Sequence, residues 1–117
     1  MRPGIWIGHV DLNTRDLAAS TEFMETMGLR LCFKFDEISI FELRGGTHLI
    51  LQKGEPGDAE FDFMVEDIDV SYAEFKDKEA NVSELSRGKI HDSFEVTEPG
   101  GNVIKVNSTH VEDHSEV

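Results

Sequence analysis

The sequence predicts an α+β fold built from two copies of a βαβββ unit. Each half of the chain has one amphipathic helical run and four strand-forming runs, and these elements follow one another in the same order. A polar stretch, KGEPGD at 53–58, separates the halves. We therefore expect a single domain over residues 1–107, with one unit at 5–53 and the other at 57–107, followed by a flexible acidic tail at 108–117.

The first unit opens with the strand IWIGHVDL and continues into a helix. Asn13 and Thr14 are candidate helix caps, and Asp16 falls in the first turn. Apolar residues then recur at helical spacing until Gly28, which ends the helix. The segment LRLCFKFD alternates apolar and polar residues, so its phenylalanines are expected on the core face. ISIFEL and THLILQ supply the other two strands.

The second unit repeats this order. EFDFMV is its first strand, DIDVSYAEFKDKEA is its helix, with Asp69 near the cap, and NVSEL, DSFEVT and NVIKVN are its other strands. Lys105 stands in the middle of the last apolar run, where an ammonium group is costly unless it is solvated or paired. The chemistry predicted for the protein therefore depends on whether Lys105 points into solvent or into a cavity with a partner.

Composition excludes two classes of partner. The formal net charge is −13, from 24 acidic and 11 basic residues, so no basic surface is expected to neutralise nucleic-acid phosphates. No run of about 18 apolar residues occurs, so no membrane span is expected. The acidic excess permits a cationic ligand. Cys32 is the single cysteine, which excludes an intrachain disulfide and fits a cytoplasmic location.

Three motifs in this order and spacing resemble those of the vicinal oxygen chelate superfamily, which includes glyoxalases, bleomycin-resistance proteins and extradiol dioxygenases. They are GHVDLNTRDLAASTEFMETMGL, FMVEDID and EPGGNVIKV, and the resemblance extends over residues 5–107. It implies a curved mixed sheet formed by the two units around a cavity, with the helices on the convex side. It also implies a homodimer, since homodimers are common in such families. Because one fold hosts many chemistries, the resemblance predicts the fold more sharply than the function.

The resemblance also implies a metal ligand on the first and fourth strands of each unit. The matching positions in this sequence are His9, Ile50, Glu60 and Lys105. His9 and Glu60 offer a nitrogen and an oxygen to a metal, whereas Ile50 has no ligand atom and a protonated lysine has no lone pair. We therefore expect a degenerate metal site and, as the first expectation, no cofactor.

Strand alternation predicts which side chains line the cavity, because every second residue of a strand faces the same side. The predicted ligand-binding residues are His9, Asp11, His48, Ile50, Glu60, Asp62 and Lys105. A nearby carboxylate stabilises an ammonium group in an enclosed site, so we expect Lys105 to pair with Glu60.

Three functions stay open at this point. The preferred one is a small-molecule-binding protein similar to bleomycin-resistance proteins, with a cationic ligand favoured by the acidic composition. The second is a metal-dependent lyase, isomerase or dioxygenase acting on vicinal oxygens, in which His9 and Glu60, with either His48 or Asp62, hold Fe, Mn, Ni or Zn. The third is a metal-free enzyme in which Lys105 acts on an anionic substrate. The sequence leaves open whether the protein is an enzyme, such as a glyoxalase-like lyase or a dioxygenase.

Overall fold

The computed structural model describes residues 3–109, in which eight strands and two helices form two similar units. The first unit consists of β1 (His9–Thr14), α1 (Leu17–Thr26), β2 (Arg30–Lys34), β3 (Ile38–Glu42) and β4 (His48–Lys53), with a 3-10 turn at Arg44–Gly46. The second unit consists of β5 (Asp58–Val65), α2 (Ile68–Asp77), β6 (Asn81–Val82), β7 (Ser93–Thr97) and β8 (Val103–Ser108).

Each unit forms its own four-stranded mixed sheet. The strand order is β1-β4-β3-β2 in the first unit and β5-β8-β7-β6 in the second. The edge strands β1 and β5 run parallel to β4 and β8, and the other neighbouring strands are antiparallel. The predicted α+β class and the repeated βαβββ order are confirmed, as two sheets that are not hydrogen-bonded to each other. Residues 110–117 of the predicted acidic tail lie outside the described residues.

The hydrophobic core lies between the helices and one face of each sheet. In the first unit α1 packs on β3 and β4. In the second unit Tyr72 and Phe75 of α2 meet Phe94 in edge-on contacts, with ring centroids 4.9 and 5.4 Å away, an arrangement that aromatic pairs favour. The fully buried apolar side chains are Met24, Phe41, Leu49, Leu51, Phe94, Val96, Ile104 and Val106. Because successive residues of a strand point to opposite faces of the sheet, the other strand side chains lie on the face of each sheet that points away from the core.

Both helices are capped by aspartates. Asp16 caps α1, so the predicted caps Asn13 and Thr14 are wrong, and Asp67 caps α2 with Asp69 in its first turn. In each case the cap carboxylate accepts a hydrogen bond of 3.1 Å from the backbone N–H three positions further on, which satisfies one of the free donors at a helix start. Neither helix within residues 3–109 has the length and apolar character needed to cross a membrane.

The phenylalanines of the LRLCFKFD segment do not face the core as predicted. The register between β2 and β3 shifts between Leu31 and Phe33, so Cys32 is an extra residue in β2. A β-bulge of this kind changes the direction of nearby side chains. Leu31 still packs against the core, whereas Phe33 and Phe35 are each 58% exposed, with their rings stacked at a centroid distance of 6.1 Å.

Strands β1 and β6 are shorter in the structure than the runs predicted for them. β1 begins at His9, where its parallel register with β4 begins, and the apolar residues 5–7 before it are exposed. β6 ends at Val82, and the hydroxyl of the next residue, Ser83, accepts a hydrogen bond of 2.8 Å from the backbone N–H of Glu95. A side chain that takes a hydrogen bond of the ladder interrupts regular strand pairing.

A buried carboxylate connects the two units. Glu98, in the turn before β8, is 1% exposed. Its oxygens accept hydrogen bonds from the Ser20 hydroxyl of α1 at 2.5 Å and from the backbone N–H groups of Gly100 and Asn102 at 3.0 and 3.1 Å. The side chain of Asn102 also donates to the carbonyl of Asn13 at 2.6 Å. The motif EPGGN therefore joins the second unit to the first.

Candidate functional site

The predicted ligand-binding side chains lie on the sheet faces that point away from the core. Lys105, for example, is exposed between the buried residues Ile104 and Val106, and His48 and Ile50 are half-buried beside buried leucines. The structure divides the predicted residues between the two sheets. Those of the first sheet are His9, Asp11, His48 and Ile50, and those of the second are Glu60, Asp62 and Lys105.

A row of polar side chains crosses the free face of the first sheet. His9 of β1 lies opposite His48 of β4, and Glu42 of β3 lies on the other side of His48. The two imidazole rings have centroids 5.6 Å apart, and Nε2 of His48 is 3.7 Å from Oε2 of Glu42. Arg30 of β2 completes the row, since its Nη1 donates to Oε1 of Glu42 at 3.0 Å. Glu42 therefore contacts a different neighbour with each of its oxygens.

Cys32 adds a sulfur atom to this row. Its Sγ, a carboxylate oxygen of Glu42 and a ring nitrogen of His48 all lie within 4.8 Å of one another. Within residues 3–109, these three form the one group of histidine, cysteine and acidic side chains close enough to hold a metal ion together. All three are half-buried, so solvent reaches the group.

The second sheet carries an acidic groove around Lys105. In the strand register, Lys105 of β8 lies between Asp62 of β5 and Glu95 of β7. The groove has a volume of about 460 Å³. Its other lining residues are Asp58, Ala59, Glu60, Phe61, Val103 and Asn107. Since four carboxylates face one ammonium group, the groove attracts cations.

Lys105 does not form the ion pair predicted for it. Within residues 3–109, neither Glu60 nor any other carboxylate makes a salt bridge with its ammonium group. Lys105 is exposed, so water solvates the charge and no buried partner is needed. Asp62, its neighbour on β5, accepts a hydrogen bond of 2.5 Å from the side-chain amide of Asn107 instead.

The family's metal positions do not form a set of metal ligands in this protein. His9 and Glu60 carry lone pairs, but Ile50 is a half-buried alkyl group and Lys105 an exposed ammonium group. These residues therefore do not fit a metal ion as a set of ligands. The alternative set of His9, His48 and Glu60 is divided between the two sheets, and only the first two are neighbours.

A cluster of ion pairs with perturbed pKa values lies in the loop between β6 and β7. Arg87 donates to Asp69 at 2.6 Å and to Asp92 at 2.9 Å. The hydrogen bond from Arg87, followed by one from the backbone N–H of Gly88, holds the pKa of Asp92 below its usual range. The hydrogen bonds to Asp69 and Asp92 raise the pKa of Arg87. These contacts attach the loop to the first turn of α2.

Some residues of the free faces were not predicted. Glu42, Arg30 and Glu95 all lie beside free-face residues of neighbouring strands but were not among the predicted site residues. The sequence pattern does indicate the face of Glu95. It lies between the apolar residues Phe94 and Val96 of one strand, so its side chain points away from the core. The cross-strand neighbours of a residue depend on which strands pair and in which register. The alternation of apolar and polar residues within one strand does not determine that pairing.

The fold and these residues agree with one family of proteins. Residues 6–106 match the sequence model of the Glyoxalase/Bleomycin resistance protein/Dioxygenase superfamily, so the chain belongs to this superfamily. No curated protein matches the chain by sequence.

Solved structures with different activities share the fold. A lactoylglutathione lyase from Agrobacterium tumefaciens is 21% identical, with a TM-score of 0.77 over 92% of this chain and 96% of that one. TnmS3, an antibiotic binding protein from Streptomyces sp. CB03234, is 18% identical, with a TM-score of 0.77 over 92% of this chain and 99% of that one. The oxidase ChaP-H2 is 15% identical, with a TM-score of 0.71 over 91% of this chain and 94% of that one. At these identities the likeness establishes the fold and not the activity.

Proposed function

We propose that this protein binds a small cationic molecule in the acidic groove of the second sheet and uses no metal at the family's usual positions. The observation that carries this proposal is the charge of the groove. Asp58, Glu60, Asp62 and Glu95 line it, and Lys105 is its one cationic side chain. Because an excess of negative charge raises the concentration of cations near a surface, a cation is attracted to this groove.

The size of the groove and its apolar residues also support binding of a small molecule. Its volume of about 460 Å³ lies within the range of about 300–1,000 Å³ found for small-molecule sites. Ala59, Phe61 and Val103 contribute apolar contacts between the charged side chains. A ligand with an aromatic body and a positive charge matches both kinds of surface.

The relatives and the altered metal positions favour binding over metal-dependent catalysis. TnmS3 is described as an antibiotic binding protein, and its structure is as similar to this chain as that of the lyase. Ile50 and Lys105 stand where catalytic relatives would need metal ligands. We therefore place this protein with the small-molecule binders of the superfamily.

We also propose that the functional form is a homodimer. Phe33, in the edge strand β2, and Phe35, just after it, form an exposed stacked pair. An exposed apolar patch at a sheet edge is typical of a protein–protein contact. A second copy of the chain is the partner that the superfamily pattern suggests.

The proposal is tested by fluorescence titration of the full-length protein with proflavine, a planar aromatic cation at neutral pH. Acridine, which has the same ring system but is neutral under these conditions, is the matched ligand. We expect proflavine to bind at least several-fold more tightly than acridine, and added salt to weaken proflavine binding, because the attraction is electrostatic. Equal affinity for the two ligands would contradict the proposal.

Matched variants locate the binding site. Glu60→Gln and Asp62→Asn each remove one negative charge from the groove and are expected to weaken proflavine binding several-fold. Glu74→Gln removes the same charge from the exposed side of α2 and is expected to leave the affinity unchanged. Lys105→Met is expected to strengthen cation binding. If Lys105→Met instead abolishes binding of an anionic ligand such as carboxyfluorescein, the groove is an anion site and the proposal is wrong.

A further inference from the structure

The row of side chains on the first sheet is suited to a metal ion at a position that the family pattern does not include. We propose that Cys32, Glu42 and His48 form a zinc site within the first sheet, with water as the fourth ligand. The three residues come from the neighbouring strands β2, β3 and β4. None of the family's ligand positions takes part, so this proposal does not depend on the groove of the second sheet.

The strand register brings two of the three ligands together. Glu42 of β3 is paired with His48 of β4 in adjacent strands of the sheet. Side chains directly opposite one another in neighbouring strands have Cβ atoms about 4.5–5.5 Å apart. Cys32 occupies the extra position of the β2 bulge, a device that redirects a side chain toward a site. The backbone therefore holds Cys32, Glu42 and His48 near one point of the free face.

The distances are close to those of a tetrahedral zinc site. The sulfur, oxygen and nitrogen atoms of Cys32, Glu42 and His48 lie within 4.8 Å of one another. Ligand atoms bound to tetrahedral zinc at about 2.0–2.3 Å are roughly 3.3–3.8 Å apart. The 3.7 Å between Nε2 of His48 and Oε2 of Glu42 already fits this range, and a separation as long as 4.8 Å must shorten by about 1 Å on binding. Because the three side chains are only half-buried, small rotamer changes achieve this without disturbing the core.

Water supplies the fourth ligand. The three side chains are half-buried, so solvent reaches the group. Three protein ligands and one water are a common arrangement around tetrahedral zinc. His9 lies on β1, three strands away from β2, and with strands about 4.8 Å apart it is too far from Cys32 to bind the same ion.

The chemistry of the ligands selects zinc over the common hard cations. Sulfur and imidazole ligands favour zinc, whereas magnesium and calcium favour oxygen. Binding converts the Cys32 thiol to a thiolate and releases its proton to solvent. Arg30 already holds Oε1 of Glu42 at 3.0 Å, which leaves Oε2 directed toward His48 at 3.7 Å. A partner of this kind orients a ligating carboxylate.

Cobalt and zinc titrations of the full-length protein test the site. The protein is kept reduced, treated with a chelator, and titrated first with Co²⁺ and then with Zn²⁺. We expect one metal ion per chain and, with cobalt, a thiolate-to-metal charge-transfer band that zinc abolishes. The absence of metal binding, or cobalt binding without this band, would overturn the proposal.

Substitutions identify the ligands. Cys32→Ser is expected to remove the charge-transfer band, and Glu42→Gln and His48→Gln to weaken zinc binding by about tenfold or more. Circular dichroism of each variant establishes that it is folded. Metal binding unchanged by Cys32→Ser, Glu42→Gln and His48→Gln would overturn the assignment.

Two control variants exclude other zinc-binding residues. Glu60→Gln is expected to keep full zinc affinity, and loss of binding in this variant would assign the metal to a site shared by the two sheets. A double variant, His110→Ala with His114→Ala, is also expected to bind zinc normally, and loss in this variant would assign the metal to the C-terminal histidines. Either loss overturns the proposal, whereas proflavine binding by the acidic groove is measured independently.

Discussion

The hydroxyl of Ser20 donates a hydrogen bond of 2.5 Å to the carboxylate of Glu98, a residue 78 positions later in the sequence. Ser20 also contacts the hydroxyl of Thr14 at 2.6 Å, and all three side chains are buried. A buried carboxylate is tolerated only when hydrogen bonds replace its lost hydration. Because Ser20 belongs to the first unit and Glu98 to the second, the stability of each unit depends on the other.

Ser20→Ala is expected to lower the free energy of unfolding by about 1–3 kcal/mol, because it leaves the buried carboxylate of Glu98 with one donor fewer. Urea denaturation monitored by circular dichroism measures the change. Ser71→Ala, a helix substitution at a serine whose hydroxyl makes no hydrogen bond within residues 3–109, is the matched control and is expected to change stability by no more than about 0.5 kcal/mol. Equal effects of the two substitutions would show that the Ser20–Glu98 contact is unimportant.

Gly100→Ala is expected to destabilise the junction between the units. A Cβ atom at this position would lie 1.8 Å from Oγ1 of Thr14 and 2.3 Å from Oγ of Ser20. Forcing an extra methyl group into such a packed site costs about 1–3 kcal/mol, or more when the neighbours cannot move. Gly8→Ala is the control, since no atom lies within 4 Å of the Cβ it would add. Thermal unfolding of the two variants at equal temperatures would contradict this prediction.

The loop between β6 and β7 is expected to loosen in acid. Hydrogen bonds from Arg87 and Gly88 lower the pKa of Asp92 in the folded state, so they stabilise the fold fully above the pKa of an unfolded aspartate, about 3.9. This stabilisation is lost as the pH falls through the lower folded-state pKa. An NMR titration of Asp92 measures that pKa.

Arg87→Met tests the cause of the lowered pKa of Asp92. It removes the hydrogen bond from Arg87, which is the largest cause, so the pKa of Asp92 is expected to rise toward its usual range. The amide of Gly88, which donates to Asp92 at 3.2 Å, is expected to change its chemical shift over the same pH range. A titration midpoint that stays the same in Arg87→Met would contradict this account.

Replacing the exposed phenylalanines of the first sheet is expected to weaken the proposed homodimer. Phe33→Ser with Phe35→Ser removes the stacked pair beside β2, and because both rings are 58% exposed the monomer fold is expected to persist. Sedimentation velocity at several concentrations measures the oligomeric state. Val70→Ser, a substitution at an apolar residue of α2 that is 52% exposed, is the control. A monomeric wild-type protein would contradict the proposal.

The fold was predictable because local patterns decide most of it. Period-2 runs and helical spacing gave the order of the elements, and Asp69 was correctly placed near the start of α2. The wrong predictions concern places where a single residue decides the direction of a strand side chain or the start of a helix. Cys32, the extra residue of a bulge, turned Phe33 away from the core, and alternation alone contains no signal for such an insertion. The cap of α1 was missed because three neighbouring polar residues offer the same chemistry.

The candidate site was less predictable, because it depends on contacts between distant strands. Alternation gave the faces of His48 and Lys105 correctly. It could not give their partners, since Glu42 beside His48 and Glu95 beside Lys105 follow from strand pairing. Glu60 was expected to pair with Lys105 because both were imagined in an enclosed site, whereas an exposed ammonium group is stable in water.

Lys105→Met is expected to change the free energy of unfolding by no more than about 0.5 kcal/mol, because Lys105 is exposed and makes no salt bridge within residues 3–109. Breaking a buried Lys105–Glu60 pair would instead cost about 3–5 kcal/mol, so urea denaturation separates the two arrangements clearly. Lys34→Met, at an exposed lysine of β2, provides the matched substitution in the other sheet. A large loss of stability in Lys105→Met alone would mean that the ammonium group has a buried partner in solution, and the open, cation-attracting groove would have to be abandoned.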